Sequence, residues 1–192
     1  MGNAVSNYAK GRLKQFVDAA TANQTSGATV AGTTAWSVTA AGSPGIVAVL
    51  FTGTLSGASD IDAASLAALA TTGTTGLTEV TTSAYHRQLV KNLASSPGVS
   101  TSTDDYIADC DDIVWGGASA IGSGTAITKL ALCFVPCVGG TLVTNSGNTG
   151  QQPGGTGLSA DSAIIPISIH DFAITPDGTD ITATIANFVR AA

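Results

Sequence analysis

Polar and apolar positions change rhythm along this chain, and the changes mark its elements. Over residues 3–20, Val5, Tyr8, Ala9, Leu13, Phe16, Val17 and Ala20 recur at three- and four-residue spacing. That spacing lines one side of a helix, with Asn3 or Ser6 placed to cap its start. Lys10, Arg12 and Lys14 lie on or beside the polar side. The pattern therefore predicts an N-terminal amphipathic helix. Basic amphipathic helices can lie on membranes. This one is short and carries little net charge, which favours packing on the body or on a partner subunit.

Residues 21–45 are Thr, Ser, Gly and Ala ending in SPG, a linker or loose arm compatible with a strand at TAWSVTA. IVAVLFT, 46–52, then predicts a buried strand. DIDAASLAALAT, 60–71, predicts an Ala-rich helix with Asp60 as N-cap. From Tyr85 onward the texture is strand, turn, strand: YHRQLVKN, DYIADC, AITKLALCFV, TLVT, AIIPISIHDFAI and DITATIANFV. PDGTD, 176–180, is a hairpin-turn signal, and NSGNTGQQPGGTG, 145–157, is a low-complexity loop. Short strands without alternating helices predict a mainly β fold, a β-sandwich or jelly-roll-like body. The expected organisation is a helical arm at 1–20, a linker at 21–45, and a β body at 46–192 with a helical insertion near 60–71.

Composition narrows the function classes. Charged residues are only 10% of the 192, well below the roughly 25% of ordinary soluble domains. The surface must then be covered by hydroxyls and amides, which suits a protein built into something larger. A net charge of -6 offers no basic field for nucleic acid. The longest apolar run, Gly45–Phe51, is too short to span a bilayer. No basic segment followed by an apolar stretch marks a secretory signal. The start MGNAVS fits the loose myristoylation pattern, with Ser6 four residues after Gly2. Small residues after an initiator Met are common, so no membrane role is expected.

The three cysteines, Cys110, Cys133 and Cys137, are an odd number for a disulfide framework. On a strand, Cys133 and Cys137 would lie ~13 Å apart at ~3.3 Å per residue, too far to bridge. Buried thiols are the expectation.

Candidate chemistry is sparse. TEVTTSAYHRQLV, 78–90, sets Tyr85, His86 and Arg87 side by side. Alternation puts Tyr85 and Arg87 on one strand face and His86 on the other. Tyr rings and Arg stems can cover a core with their polar tips at its rim, so the stretch reads as a turn entering a core strand. His170 and Asp171 resemble a base with its carboxylate, but adjacent strand residues face opposite ways. No nucleophile elbow surrounds a serine, and no lysine follows a phosphate-cradling glycine loop. DDYIADCDD, 104–112, lacks calcium-loop spacing. No catalytic, cofactor-binding or metal-binding residue is expected.

The order of segments is more informative than any motif. It resembles a family of tailed-bacteriophage virion proteins, described variously as tail-fibre-like, minor tail or head-decoration proteins. Their pattern is a short apolar strand ending in Leu-Phe-Thr, a Thr-Glu-Val turn, a Tyr-x-Arg strand and a Trp before an apolar strand. Here these are Leu50-Phe51-Thr52, Thr78-Glu79-Val80, Tyr85 with Arg87, and Trp115 before Ile127–Phe134. The resemblance covers roughly residues 1–137. The chain departs from it in the Ala-rich stretch at 60–71, where a shorter Gly/Asp-rich loop is expected, and in His86, where a small residue is expected.

The resemblance implies a non-enzymatic structural protein of the virion, made in the host bacterial cytoplasm. Compact size and the helical arm favour capsid decoration, with a minor tail or tail-fibre-associated role as the alternative. Its partners would be other virion proteins and copies of itself. Low charge and an Ala/Thr-rich surface point to a homo-oligomer, with a trimer favoured. Val5, Tyr8, Leu13, Phe16 and Val17 would be the arm's assembly contacts, and Tyr85, Arg87 and Trp115 core or interface residues. A secreted adhesive or carbohydrate-binding module is a third class, disfavoured by three Tyr and two Trp with no aromatic platform.

Overall fold

The computed structural model describes residues 4–5, 20, 45–55, 62–70, 76–80, 85, 87–90, 94–96, 106–116, 121–124, 126–135, 162, 164–185 and 189–191. Its elements in chain order are β1 (Ala4–Val5), β2 (Gly45–Gly53), α1 (Leu66–Leu69), β3 (Leu77–Glu79), β4 (Gln88–Leu89) and β5 (Ala94–Ser96). They continue with β6 (Tyr106–Asp109), β7 (Ile113–Trp115), β8 (Ile127–Val135), β9 (Ile165–Ile174), β10 (Ile181–Ala183) and β11 (Val189–Ala191). The described chain is mainly β, and its strand pairs are antiparallel. The main sheet runs β1-β9-β8-β2-β3, with β4 also on β2; β10 pairs with β7, and β6 lies between β11 and β5.

The predicted strand at 46–52 is an interior strand of the main sheet, between β8 on one side and β3 with β4 on the other. An antiparallel strand usually alternates because one face meets water. Here both faces are covered, so the apolar run is continuous. Ile46, Ala48 and Leu50 enter one core, and Val47, Val49 and Phe51 enter a second on the other side. β8 repeats the division, with Leu130, Leu132 and Phe134 in the first core and Ala131, Cys133 and Val135 in the second. The first core also takes Ile113 and Trp115 of β7 and Ile181 and Ala183 of β10. The second is filled from Leu55, Ala63, Leu66, Leu69 and Leu77. Each such large side chain stabilises the fold by about 1.5–3 kcal/mol when fully buried.

Several expectations are corrected. The helix predicted over 60–71 is one turn, Leu66–Leu69, capped by Ser65, whose hydroxyl accepts from the Ala68 N–H at 3.2 Å. Asp62, Ala63 and Ala64 precede it in non-helical backbone, and Asp60 lies outside the described residues. From the capped turn, Leu66 and Leu69 are buried in the second core, which Ala63 ahead of the cap also enters. The N-terminal helix does not include Ala4 and Val5, which form β1 against Ile169 and Ser168 of β9. A sheet edge there satisfies backbone groups that a helix end would leave open. Ala20 is helical and buried in the first core; Tyr8, Leu13, Phe16 and Val17 lie outside the described residues, as do 21–44, Cys137, TLVT and the 145–157 loop.

PDGTD makes a turn but not a hairpin. Asp177 accepts from the Thr179 N–H at 2.9 Å, and Gly178 takes a φ of +93°. The strands on either side join different sheets, β9 pairing with β8 and β10 with β7. DITATIANFV likewise divides into β10 and β11, which pair with β7 and β6. Thr78 and Glu79 of the Thr-Glu-Val segment lie in strand β3 and not in a turn, Glu79 pairing with Phe51 and Thr78 with Thr52, and Val80 follows the strand. Among the described residues of YHRQLVKN, Gln88–Leu89 are strand and Tyr85, Arg87 and Val90 are not.

Candidate functional site

The second edge of β2 is shared by two short strands. β3 covers Phe51–Gly53, and β4 covers Val47–Ala48. Leu50 falls between them. Its carbonyl accepts from the Val80 N–H at 3.0 Å, and its N–H donates to the Tyr85 hydroxyl at 3.0 Å. A tyrosine oxygen thus takes the place of a strand carbonyl in the gap. The same hydroxyl donates to Glu79 Oε1 at 3.1 Å. Arg87 grips that carboxylate with both arms of its fork, Nε to Oε1 and Nη2 to Oε2, each at 2.8 Å. This is the bidentate geometry for which guanidinium is suited.

Tyr85 is 5% and Arg87 8% exposed. Burial, and next the Glu79 carboxylate, push the Tyr85 hydroxyl well above its ordinary range, so it remains a donor. The two residues converge on Glu79, but both precede β4 and neither is in a strand, so the expected core strand carrying Tyr85 and Arg87 is corrected and strand alternation does not account for the contact. His86 lies outside the described residues. Trp115 is fully buried on β7 in the same core as Tyr85.

A second polar group sits on β9. Ser168 and His170, two apart on one strand, share a hydrogen bond of 2.9 Å between Oγ and Nε2. Their register partners on β8 are Leu132 and Leu130, both fully buried. Burial lowers the imidazole's affinity for a proton, and the neighbouring Asp171 only partly opposes this. Asp171 itself pairs with Lys129 of β8, and the Lys129 hydrogen bond holds its carboxyl below the usual range. The expected mismatch of His170 with Asp171 holds, because each residue bonds elsewhere. Ser168 is 1% exposed. A nucleophile must reach its substrate, and this hydroxyl is enclosed.

Glu79 of the first ion pair and both partners of the second lie in one register row, Glu79, Phe51, Lys129 and Asp171 across β3, β2, β8 and β9. The row was hidden from sequence reading because its members are far apart along the chain. Ser168–His170 was open to a period-two reading. Cys133 is a buried thiol and Cys110 a half-buried one; Asp111 and Asp112 are exposed. Among the described residues, no three His, Cys, Asp or Glu side chains gather as a metal site would require, and no helix is long and apolar enough to cross a membrane.

Comparison with known proteins finds no matching family model, no matching curated protein and no matching solved structure.

Proposed function

We propose that this chain is a non-enzymatic structural protein of a bacteriophage particle, a capsid decoration protein acting through protein–protein contacts. The observation that carries the reading is the use of its scarce polar chemistry. Arg87 with Glu79, Lys129 with Asp171, and Ser168 with His170 are each turned on one another within the sheet. Polar groups spent on internal registration suit a scaffold, and the low charge suits a body covered by neighbours. The two-stranded β10–β7 sheet sharing a core with the main sheet favours a sandwich-like body. The segment order described above supplies the phage assignment, and a homotrimer is the assembly it favours.

Mass spectrometry of particles from the source phage tests this, with heads and tails separated before digestion. Recovery with tail-free heads supports decoration. Recovery with tails alone favours a minor tail role, and absence from both overturns the structural reading.

A further inference from the structure

We propose that Asp177 is a site of spontaneous backbone isomerisation, at which the Gly178 peptide nitrogen attacks the Asp177 side-chain carboxyl and converts the residue to isoaspartate. The inference goes beyond a virion role and does not depend on it. Asp177 is the one aspartate in the sequence that is followed by glycine, and no asparagine is. The step closes a ring onto the next peptide nitrogen, and glycine leaves that approach open because it has no Cβ.

The fold holds the two reacting groups together in an accessible place. Pro176 before the turn and Ile181 after it are buried, whereas Asp177, Gly178, Thr179 and Asp180 are exposed. The turn is therefore anchored at both ends and open to water between them. Asp177 Oδ1 accepts from the Thr179 N–H at 2.9 Å and from the Thr179 hydroxyl at 2.6 Å. The ring closed by the first of these bonds runs through Asp177 Cγ and the Gly178 nitrogen, so the carboxyl is folded back along the Gly178 peptide. Gly178 has a φ of +93°, and a Cβ there would meet nothing within 4 Å. Prior placement of this kind replaces a search by a single closure.

The reaction balances with water alone. The Gly178 nitrogen loses its proton and bonds to Asp177 Cγ, while the carboxyl OH leaves as water, giving a cyclic succinimide. Water then adds to one of its two carbonyls. Opening at the original main-chain carbonyl leaves the chain running through Cβ and Cγ, which is isoaspartate; opening at Cγ restores aspartate. Water departs from the protonated carboxyl, and the Thr179 hydrogen bonds hold that group below its usual range. The conversion is therefore slow and accumulates with age. Its product adds one methylene to the link between β9 and β10, which pair in different sheets.

The test is to hold the intact, folded protein at 37 °C and pH 6 and to follow isoaspartate with time. An isoaspartyl-specific methyltransferase supplies the assay, and fragmentation mass spectrometry of the peptide spanning Asp177 locates the residue. Isoaspartate should rise at Asp177, with a minor species lighter by one water. D177E, which cannot close the same ring, should lose the signal, and G178A should slow it several-fold. Wild-type protein that stays unconverted while folded overturns the proposal, whether or not the same chain converts in urea. A methyl-acceptor signal equal in wild type and D177E, or located at another residue, overturns it as well.

Discussion

At the residue scale, the informative positions are those where one side chain replaces a backbone partner. Tyr85 does so for the Leu50 N–H. Tyr85→Phe keeps the ring in the core and removes the oxygen, so it should lower stability by about 1–3 kcal/mol, the cost of stripping buried groups of a partner. Arg87→Ala should cost more, up to roughly 3–5 kcal/mol, because it leaves Glu79 charged in a largely enclosed place. Arg87→Lys should recover only part of this, since an ammonium cannot make both bonds of the fork. Urea unfolding of the three variants gives the order directly. Loss of stability in Arg87→Ala no greater than in Tyr85→Phe would mean that the ion pair contributes little. A pH dependence belongs here too. The unfolded imidazole of His170 takes its proton near 6.5, and burial delays this in the fold. Below 6.5 the unfolded chain thus binds more protons, and stability falls with pH until the folded ring also titrates. Asp171 acts lower: its pKa is depressed from 3.8, so its stabilisation is present above that value and is lost as pH falls beneath it. Urea midpoints between pH 7.5 and 5 should fall for wild type and stay flatter for His170→Gln.

At the element scale, the strongest strands were legible because burial on both faces leaves an unbroken apolar run. Gly45–Gly53 and Ile127–Val135 contain the two predicted runs almost whole. Weaker elements were misread for a physical reason. Ala-rich DIDAASLAALAT has helical propensity, but among its described residues Asp62, Ala63 and Ala64 stay outside the helix even though Ala63 reaches the second core, and one turn forms over Leu66–Leu69. Thr-Glu-Val looks polar enough for a turn, yet it pairs with β2 because Leu77 before it is buried and Glu79 finds Arg87. PDGTD carries local turn chemistry, which does not encode which sheet the next strand joins. The sequence reading grouped Tyr85 with Arg87 on an expected strand, but they meet at Glu79 ahead of β4, and that contact depends on how β3 and β4 share one edge. The junction of β2 and β3 supplies a prediction. Gly53 has a φ of +93°, and a Cβ there would meet the Gly76 carbonyl oxygen at 2.0 Å. Gly53→Ala should lose roughly 1–2 kcal/mol from the left-handed backbone alone, with the clash adding to it. A thermal midpoint equal to wild type would show that the two glycines separate easily.

At the scale of the whole molecule, the question is where the first twenty residues rest. The described residues among them touch the chain's own body: Ala4–Val5 on the edge of β9, and Ala20 inside the first core. Between these lies the apolar stripe of Tyr8, Leu13, Phe16 and Val17. An isolated helix of this length is marginal in water, so any helix here must bury its stripe on something. Burial on its own sheet makes the stripe part of the fold, whereas burial on a neighbour makes it an assembly contact. Phe16→Asp separates the two, because a carboxylate is not tolerated in either apolar seat. The expected result is reduced oligomer mass in light scattering at micromolar concentration. The thermal midpoint should move much less than in Leu50→Ala, a cavity in the central strand worth about 2–5 kcal/mol. A midpoint that falls as far as in Leu50→Ala would place the stripe on the chain's own body and remove the arm from the assembly contacts.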